Sequence, residues 1–102
     1  TFDDRENAFA AKFAHDEEMK FKAEARRNKL LGLWAAGLLG KSEAEAAAYA
    51  KDVVAADFQE AGEEDVYRKL AADLGARADE ATIRAKMAEL MIEAKRQIMS
   101  EI

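Results

Sequence analysis

The sequence has no cysteine, no proline and only five glycines among its 102 residues, and the first glycine is Gly32. Without cysteine the chain cannot form a disulfide framework, which is compatible with a reducing intracellular compartment. The dipeptides that mark β-hairpins are missing, and no β-branched run is longer than Val53-Val54. These absences argue against a disulfide-stabilised domain and against a β-sheet, and they predict an all-α protein.

The chain also lacks a positive net charge and a long hydrophobic run. Its formal net charge is −5, whereas nucleic-acid binding requires a basic surface. The apolar cluster at residues 30–39 is shorter than the roughly 20 residues that a membrane-spanning helix needs. The acidic first residues do not predict a signal peptide. We therefore expect a soluble cytoplasmic protein that neither binds nucleic acid nor inserts into a membrane.

The apolar residues that are present suit a small helical bundle. Alanine contributes 24 residues, and only 27 large apolar side chains remain to build a core. Helices rich in alanine can approach closely, but so few large side chains leave no room for a deep enclosed pocket.

Start and stop signals predict four helices. Ser42 and Glu45 form a capping box at the start of the second helix, and Asp79 is a favourable N-cap for the fourth. Glycines at positions 40, 62 and 75 end the first three helices. The predicted spans are residues 4–39, 42–61, 64–74 and 80 to near the last residue.

Helical periodicity predicts the side chains that face the core. We expect Trp34 to be a core residue with Leu30, Leu31 and Leu38 as neighbours, and Gly32 and Gly37 to mark a close helix contact or a kink. In the later helices the expected inward residues are Ala47, Ala50, Val54, Phe58, Val66, Tyr67, Leu70, Leu74, Ile83, Met87, Leu90, Met91, Ala94 and Ile98.

The N-terminal part of the chain differs from the rest. Residues 1–29 contain 14 charged side chains and only five large apolar ones. Phe2, Phe9 and Phe13 are spaced by seven and four residues, which places them in one narrow arc of a helix. We predict that residues 1–18 form a mobile or frayed helical segment and that residues 19–102 form a four-helix bundle. The phenylalanine arc then requires a partner outside the bundle.

Two charged clusters have competing interpretations. His15 precedes Asp16, Glu17 and Glu18, but adjacent helical positions diverge too far to share a metal ion, so a solvated charge run is favoured and a pH-sensing role stays open. Arg26, Arg27 and Lys29 precede the apolar block around Trp34. They could face nucleic acid or a membrane, although ion pairs with acidic neighbours are favoured.

Catalytic patterns are missing from the sequence. It contains no Ser/His/Asp arrangement, no glycine-rich phosphate loop and no metal-ligand spacing. The methionines at 87, 91 and 99 could form an adaptable binding surface but are better explained as core residues. Adjacent acids at Glu63, Glu64 and Asp65 are typical of a first helical turn. We do not expect an enzyme.

Several stretches closely resemble the α-proteobacterial inhibitor of the F-type ATP synthase, the ζ subunit family. The resemblance spans essentially the whole chain, but its specificity lies in residues 2–36. The matching stretches are Phe2-Asp3-Asp4-Arg5-Glu6, Lys12-Phe13-Ala14, Ala25-Arg26-Arg27-Asn28-Lys29-Leu30-Leu31-Gly32 and Trp34-Ala35-Ala36.

The resemblance implies a four-helix bundle with a mobile inhibitory N-terminus. In the family that N-terminus folds as a helix at a catalytic α/β interface of the synthase head, next to the central rotor stalk, and blocks ATP hydrolysis. The implied partners are the α and β subunits and the stalk, so the protein would be peripheral at the inner membrane when bound. The implied contact residues are Phe2, Asp3, Asp4, Arg5, Glu6, Phe9, Lys12 and Phe13.

Two further points belong to the resemblance and its alternatives. No cofactor is implied, although family members make weak contacts with adenine nucleotides. The alternative function from the residues alone is a helical scaffolding or membrane-peripheral module. Acidic residues beside the phenylalanine arc, Asp3, Asp4 and Glu6, weaken the membrane alternative, since anionic lipid favours lysine there.

Overall fold

The computed structural model describes residues 17–56 and 63–101, and this part of the chain contains four α-helices. Helix α1 is Glu17–Leu38, α2 is Glu43–Ala56, α3 is Glu64–Leu74 and α4 is Glu80–Glu101. A short 3-10 turn, Gly75–Arg77, connects α3 to α4. The described ranges contain no strand, which confirms the all-α prediction.

Within the described residues, the helix boundaries coincide with the signals in the sequence, whereas the predicted helix start near residue 4 and the predicted helix end at Gly62 lie outside them. The Ser42 backbone N–H donates to Glu45 Oε1 at 3.0 Å and the Glu45 N–H donates to Ser42 Oγ at 3.3 Å, so the capping box is present. Asp79 Oδ1 accepts from the Thr82 N–H at 2.8 Å at the start of α4. Gly40 and Gly75 follow α1 and α3 with positive φ angles of 70° and 55°. Positive φ angles favour glycine, because a side chain with a Cβ atom rarely adopts them.

Helix α1 is the central element of the bundle, because it packs extensively against both α2 and α4. The larger core cluster joins all four helices, whereas a smaller cluster joins the first turns of α1 to the last turns of α4. The buried members of the larger cluster are Leu31, Ala35, Ala36, Tyr49, Val53, Val66, Leu70, Leu74, Ile83 and Met87. Those of the smaller one are Met19, Ala23 and Ile98.

The α1–α2 contact depends on Gly32. A Cβ atom built on Gly32 would lie 2.5 Å from the Cα of Ala50, closer than real Cβ atoms approach backbone. The same atom built on Gly37 meets nothing within 4 Å. The predicted close contact is therefore confirmed at Gly32, and Gly37 takes no part in it.

Polar contacts join α3 to its neighbours. The Tyr49 hydroxyl on α2 donates to Asp73 Oδ2 at 2.7 Å, and Lys69 Nζ donates to the same oxygen at 3.1 Å. Burial and the bond to Asp73 raise the pKa of the Tyr49 phenol well above its usual value. On the other side of α3, the Arg84 guanidinium donates to both carboxylate oxygens of Glu64, at 2.9 and 3.1 Å. These contacts fix α3 between α2 and α4.

The predicted inward face of α2 was partly wrong. Ala50 is buried as expected, but Ala47 is exposed and Val54 is only partly buried. Tyr49 and Val53 are buried instead, because α2 turns this side toward α1 and α3. Phe58, the fourth residue of the predicted face, lies outside the described residues. In α3 and α4 the predicted faces are confirmed, with Tyr67, Leu90 and Met91 partly buried at their edges.

Trp34 packs against the core as predicted, but it is only partly buried and is not one of the fully buried core residues. Its ring packs against the larger core cluster and lies beneath Lys86, whose Nζ is 5.8 Å from the ring centroid. Among its expected neighbours, Leu31 is fully buried, but Leu38 is 43% exposed.

We therefore expect Trp34→Ala to lower the free energy of unfolding by about 2 kcal/mol, below the roughly 3–5 kcal/mol typical of a fully buried aromatic ring. Urea denaturation of the full chain measures the change. Ile92→Ala is the matched control, because Ile92 is 71% exposed on α4 and should alter stability by less than about 0.5 kcal/mol. An effect of Trp34→Ala no larger than that of Ile92→Ala would contradict the packing role.

Candidate partner-binding surface

The residues predicted to bind the partner precede the part of the chain that the structure describes. Phe2, Asp3, Asp4, Arg5, Glu6, Phe9, Lys12 and Phe13 lie outside the described residues, as does His15. The described chain begins at Glu17 with the first turn of α1. The surface around this turn is therefore where the predicted binding segment joins the bundle.

The first turns of α1 are fixed to the end of α4. Met19 and Ala23 are buried against Ile98, with Met91 and Met99 packed beside them. Met87 is buried in the larger cluster. The methionines on α4 thus contribute to packing, which confirms their interpretation as core residues. Because Met19 is already buried, the bundle begins at or before this residue and not later.

A polar contact lies over this apolar one. Arg26 donates to Gln97 Oε1 at 2.9 Å and to both carboxylate oxygens of Glu101, at 2.8 and 3.0 Å. The hydrogen bond from Arg26 is the main cause of a lowered pKa at Glu101, and the same bond raises the pKa of Arg26. The pair fixes the C-terminal turn of α4 to the third turn of α1.

Arg27 points into the protein and is 4% exposed. Its Nε donates to Asn28 Oδ1 at 3.0 Å, and its Nη1 lies 3.4 Å from Glu63 Oε2. Asn28 is fully buried, and its Nδ2 has no hydrogen-bond partner. The two arginines therefore pair with acids, as predicted, and are not directed together toward an anionic partner.

A groove of about 590 Å³ runs along the outer side of α1, between Val54 of α2 and the last turns of α4. Its apolar surface comes from Met19, Phe21, Ala25, Val54 and Ile98, and its charged surface comes from Lys22, Arg26, Lys29 and Glu101. Phe21 is 53% exposed. The groove is thus a shallow surface feature next to the predicted binding segment.

The charge on the groove differs from that of the chain. Three basic side chains and one acidic side chain give it a net charge of +2, whereas the whole chain carries −5. Glu101 is occupied by Arg26. Lys22 is 3.6 Å from Glu18 in an exposed helical pair, and Lys29 forms no salt bridge in the described part of the chain. Two lysines are therefore available at the edge of an apolar surface.

The described ranges, 17–56 and 63–101, contain neither a candidate metal site nor a candidate membrane-spanning helix. No group of three or more His, Cys, Asp or Glu side chains there could hold a metal ion. No helix there is long and apolar enough to cross a membrane. The adjacent acids that open α3 each face an arginine: Glu63 faces Arg27, Glu64 faces Arg84 and Asp65 faces Arg68.

The family model for "ATPase inhibitor subunit zeta" matches residues 1–97. The chain belongs to this family. The match includes the whole of the predicted binding segment and almost all of the bundle, so the resemblance inferred from residues 2–36 is confirmed for the chain as a whole. As a member of the ζ family, the chain has the regulatory, inhibitory role that the family name states.

A protein whose structure was determined by solution NMR is similar to this ζ family member in sequence and fold. The two are 61% identical, and the match covers 82% of this chain and 99% of that chain with a TM-score of 0.77. No significant match was found among curated proteins. The four-helix arrangement is therefore shared with an experimentally determined structure.

The groove on α1 was not predicted from the sequence. Lys22, Arg26 and Lys29 are spaced by four and three residues, which places them on one side of a helix. That spacing was the available signal, but the apolar surface beside it comes from α2 and α4. Only the packing of three helices brings Val54 and Ile98 into one groove with the lysines of α1.

Proposed function

We propose that this ζ family member inhibits ATP hydrolysis by the F-type ATP synthase through its N-terminal segment. In this proposal residues 1 to about 18 insert as a helix at a catalytic α/β interface of the head, next to the rotor stalk. The family assignment supports the inhibitory role. The positions of Phe2, Phe9 and Phe13 on one arc support a helix that binds in a groove.

The bundle supports this division of roles. All the buried side chains of the two core clusters lie between Met19 and Ile98. Among the described residues, these clusters join all four helices through side chains that follow the predicted binding segment. In this proposal the aromatic rings of the segment therefore serve a partner.

Geometry makes the insertion feasible. A helix that continued α1 from Glu17 back to residue 1 would extend about 24 Å further, at about 1.5 Å per residue. That length suffices to reach into an interface between two subunits while the bundle stays outside. Aromatic anchors would supply most of the affinity, and Asp3, Arg5 and Lys12 would fix the register through ion pairs.

The remaining features follow from the same proposal. The protein acts as a regulator and not as an enzyme, and its partners are the α and β subunits and the stalk. It is cytoplasmic and becomes peripheral at the inner membrane when bound to the synthase. It requires no cofactor, although the family resemblance leads us to propose weak contact with adenine nucleotides.

Phe9→Ala in the full chain tests the proposal. Burial of one phenylalanine ring against the head contributes roughly 1.5–3 kcal/mol, so the concentration for half-maximal inhibition should rise about 10-fold to 150-fold. The measurement is the steady-state ATPase rate of the isolated head, titrated with each protein.

The matched control keeps the amino-acid composition and changes only the side of the helix on which the phenylalanine ring lies. Ala8→Phe combined with Phe9→Ala moves the ring by one residue, or about 100° around a helix. This variant should inhibit as poorly as Phe9→Ala alone. Full inhibition by the shifted variant would show that the segment does not bind as a helix with a defined face.

A further inference from the structure

We propose that the groove on α1 is a second docking surface, which takes an acidic amphipathic helix of the synthase head. The inference rests on the proposed function for the identity of the partner, but not for the chemistry of the surface. The groove is the described surface nearest to the segment that is proposed to insert, because α1 begins at Glu17 and the groove begins at Met19.

The apolar part of the groove fits the hydrophobic face of a helix. Phe21 exposes 53% of its surface. Ala25 lies between Phe21 and Lys29 along α1, and its small side chain leaves space in the groove. Val54 of α2 and Ile98 of α4 line the same groove. A partner side chain placed over Ala25 would contact apolar atoms from three helices at once.

The basic side chains of the groove favour a partner with negative charge. Lys22 and Lys29 are seven residues apart, about two helical turns, and lie on the same side of α1. Lys29 has no salt bridge in the described ranges, and Lys22 has only an exposed helical pair with Glu18. Two cations about 10 Å apart along α1 favour carboxylates spaced by about two turns on the partner helix.

A second copy of this chain fits the groove less well. The chain is acidic overall, with a net charge of −5, so long-range repulsion opposes self-association. The single strongly exposed isoleucine on α4, Ile92, is flanked by Glu89, Glu93 and Arg96, and both Glu89 and Glu93 already pair with basic residues of α4. The carboxylates beside Ile92 of a second copy are therefore already paired, whereas the groove requires a partner whose carboxylates can pair with Lys22 and Lys29.

The test compares two charge-reversed variants of the full chain. Lys22→Glu with Lys29→Glu reverses both cations of the groove. Lys51→Glu with Arg77→Glu is the matched control, since both residues are exposed, neither lines the groove, and neither forms a salt bridge in the described ranges. Binding to the isolated head and inhibition of its ATPase activity are measured at low and high salt, and sedimentation gives the oligomeric state of the free chain.

We expect the groove variant to bind the head about tenfold more weakly at low salt, with the same maximal inhibition at saturation and with a smaller difference at high salt. The control should bind within twofold of the unmodified chain. Groove and control variants that bind equally well would overturn the second docking surface and leave the inhibitory role of residues 1–18 intact.

The other outcomes also decide between the two proposals. If the unmodified chain binds the head without inhibiting it, the inhibitory mechanism fails while the groove variant still tests the docking surface. If the unmodified chain does not bind the head, both proposals fall. A dimer of the free chain that dissociates only in the groove variant would assign the groove to a second copy and overturn the acidic-helix partner.

Discussion

Deletion of residues 1–16 is expected to abolish the inhibition of ATP hydrolysis and to leave the thermal unfolding of the bundle almost unchanged. The deletion removes Phe2, Phe9 and Phe13, the proposed anchors, whereas the buried core of the described residues lies between Met19 and Ile98. Loss of three buried rings would weaken binding by several kcal/mol, at roughly 1.5–3 kcal/mol each. ATPase assays on the isolated head and circular-dichroism melting of the same samples measure the two effects.

The boundary of this deletion follows from the structure. The sequence predicted a segment of residues 1–18, but α1 begins at Glu17 and Glu18 pairs with Lys22. Ending the deletion at residue 16 therefore keeps the first turn of α1. Replacing Asp16 and Glu17 by alanine in the full chain is the control, since exposed charges contribute little. A truncated protein that still inhibits fully would place the inhibitory surface on the bundle.

Gly32→Ala is expected to destabilise the bundle strongly, although alanine is the better helix former. The added Cβ would lie 2.5 Å from the Cα of Ala50 and 3.0 Å from its Cβ. Because the closest atom is backbone, α1 and α2 must move apart. Overpacking of this kind costs about 3 kcal/mol, which exceeds the gain of about 1 kcal/mol in helix propensity.

The expected result is a fall in melting temperature of roughly 8–16 °C, because a net loss of about 2 kcal/mol corresponds to about 4–8 °C per kcal/mol in a domain of this size. Gly37→Ala in the same helix is the matched control. It meets nothing within 4 Å, so it should raise the melting temperature slightly. Equal melting temperatures for the two variants would show that α1 and α2 do not approach as closely as described.

The parts of the fold that could be predicted from the sequence depend on local chemistry. Ser42 and Glu45 are three residues apart and satisfy each other's backbone donors whatever the rest of the chain does. The same holds for Asp79 and for the glycines that end α1 and α3. Helix α3 has a well-separated apolar face, and the large buried residues of α4 recur at helical spacing, so their inward sides could be predicted as well.

The parts that could not be predicted depend on how the helices pack. In α2 the alanines give little contrast between faces, and burial of Tyr49 and Val53 in place of Ala47 depends on the position of α3. Trp34 packs against the core as predicted, but its partial burial depends on how the helices pack around it and not on its own identity. The groove could not be predicted for the same reason, because its lining combines residues of α1 with Val54 of α2 and Ile98 of α4.

The central position of α1 has a mechanical consequence for the proposed inhibitor. A rotor that pushes on an inserted helix would exert a force along the chain at residue 16, and α1 would carry that force into the bundle. Met19 against Ile98 and Arg26 against Glu101 would bear it first. Helix α1 packs against both α2 and α4. A force along α1 would therefore act in shear on many contacts at the same time and would not break them one after another. The bundle would then act as a stop that keeps the inserted helix from being pulled through the interface.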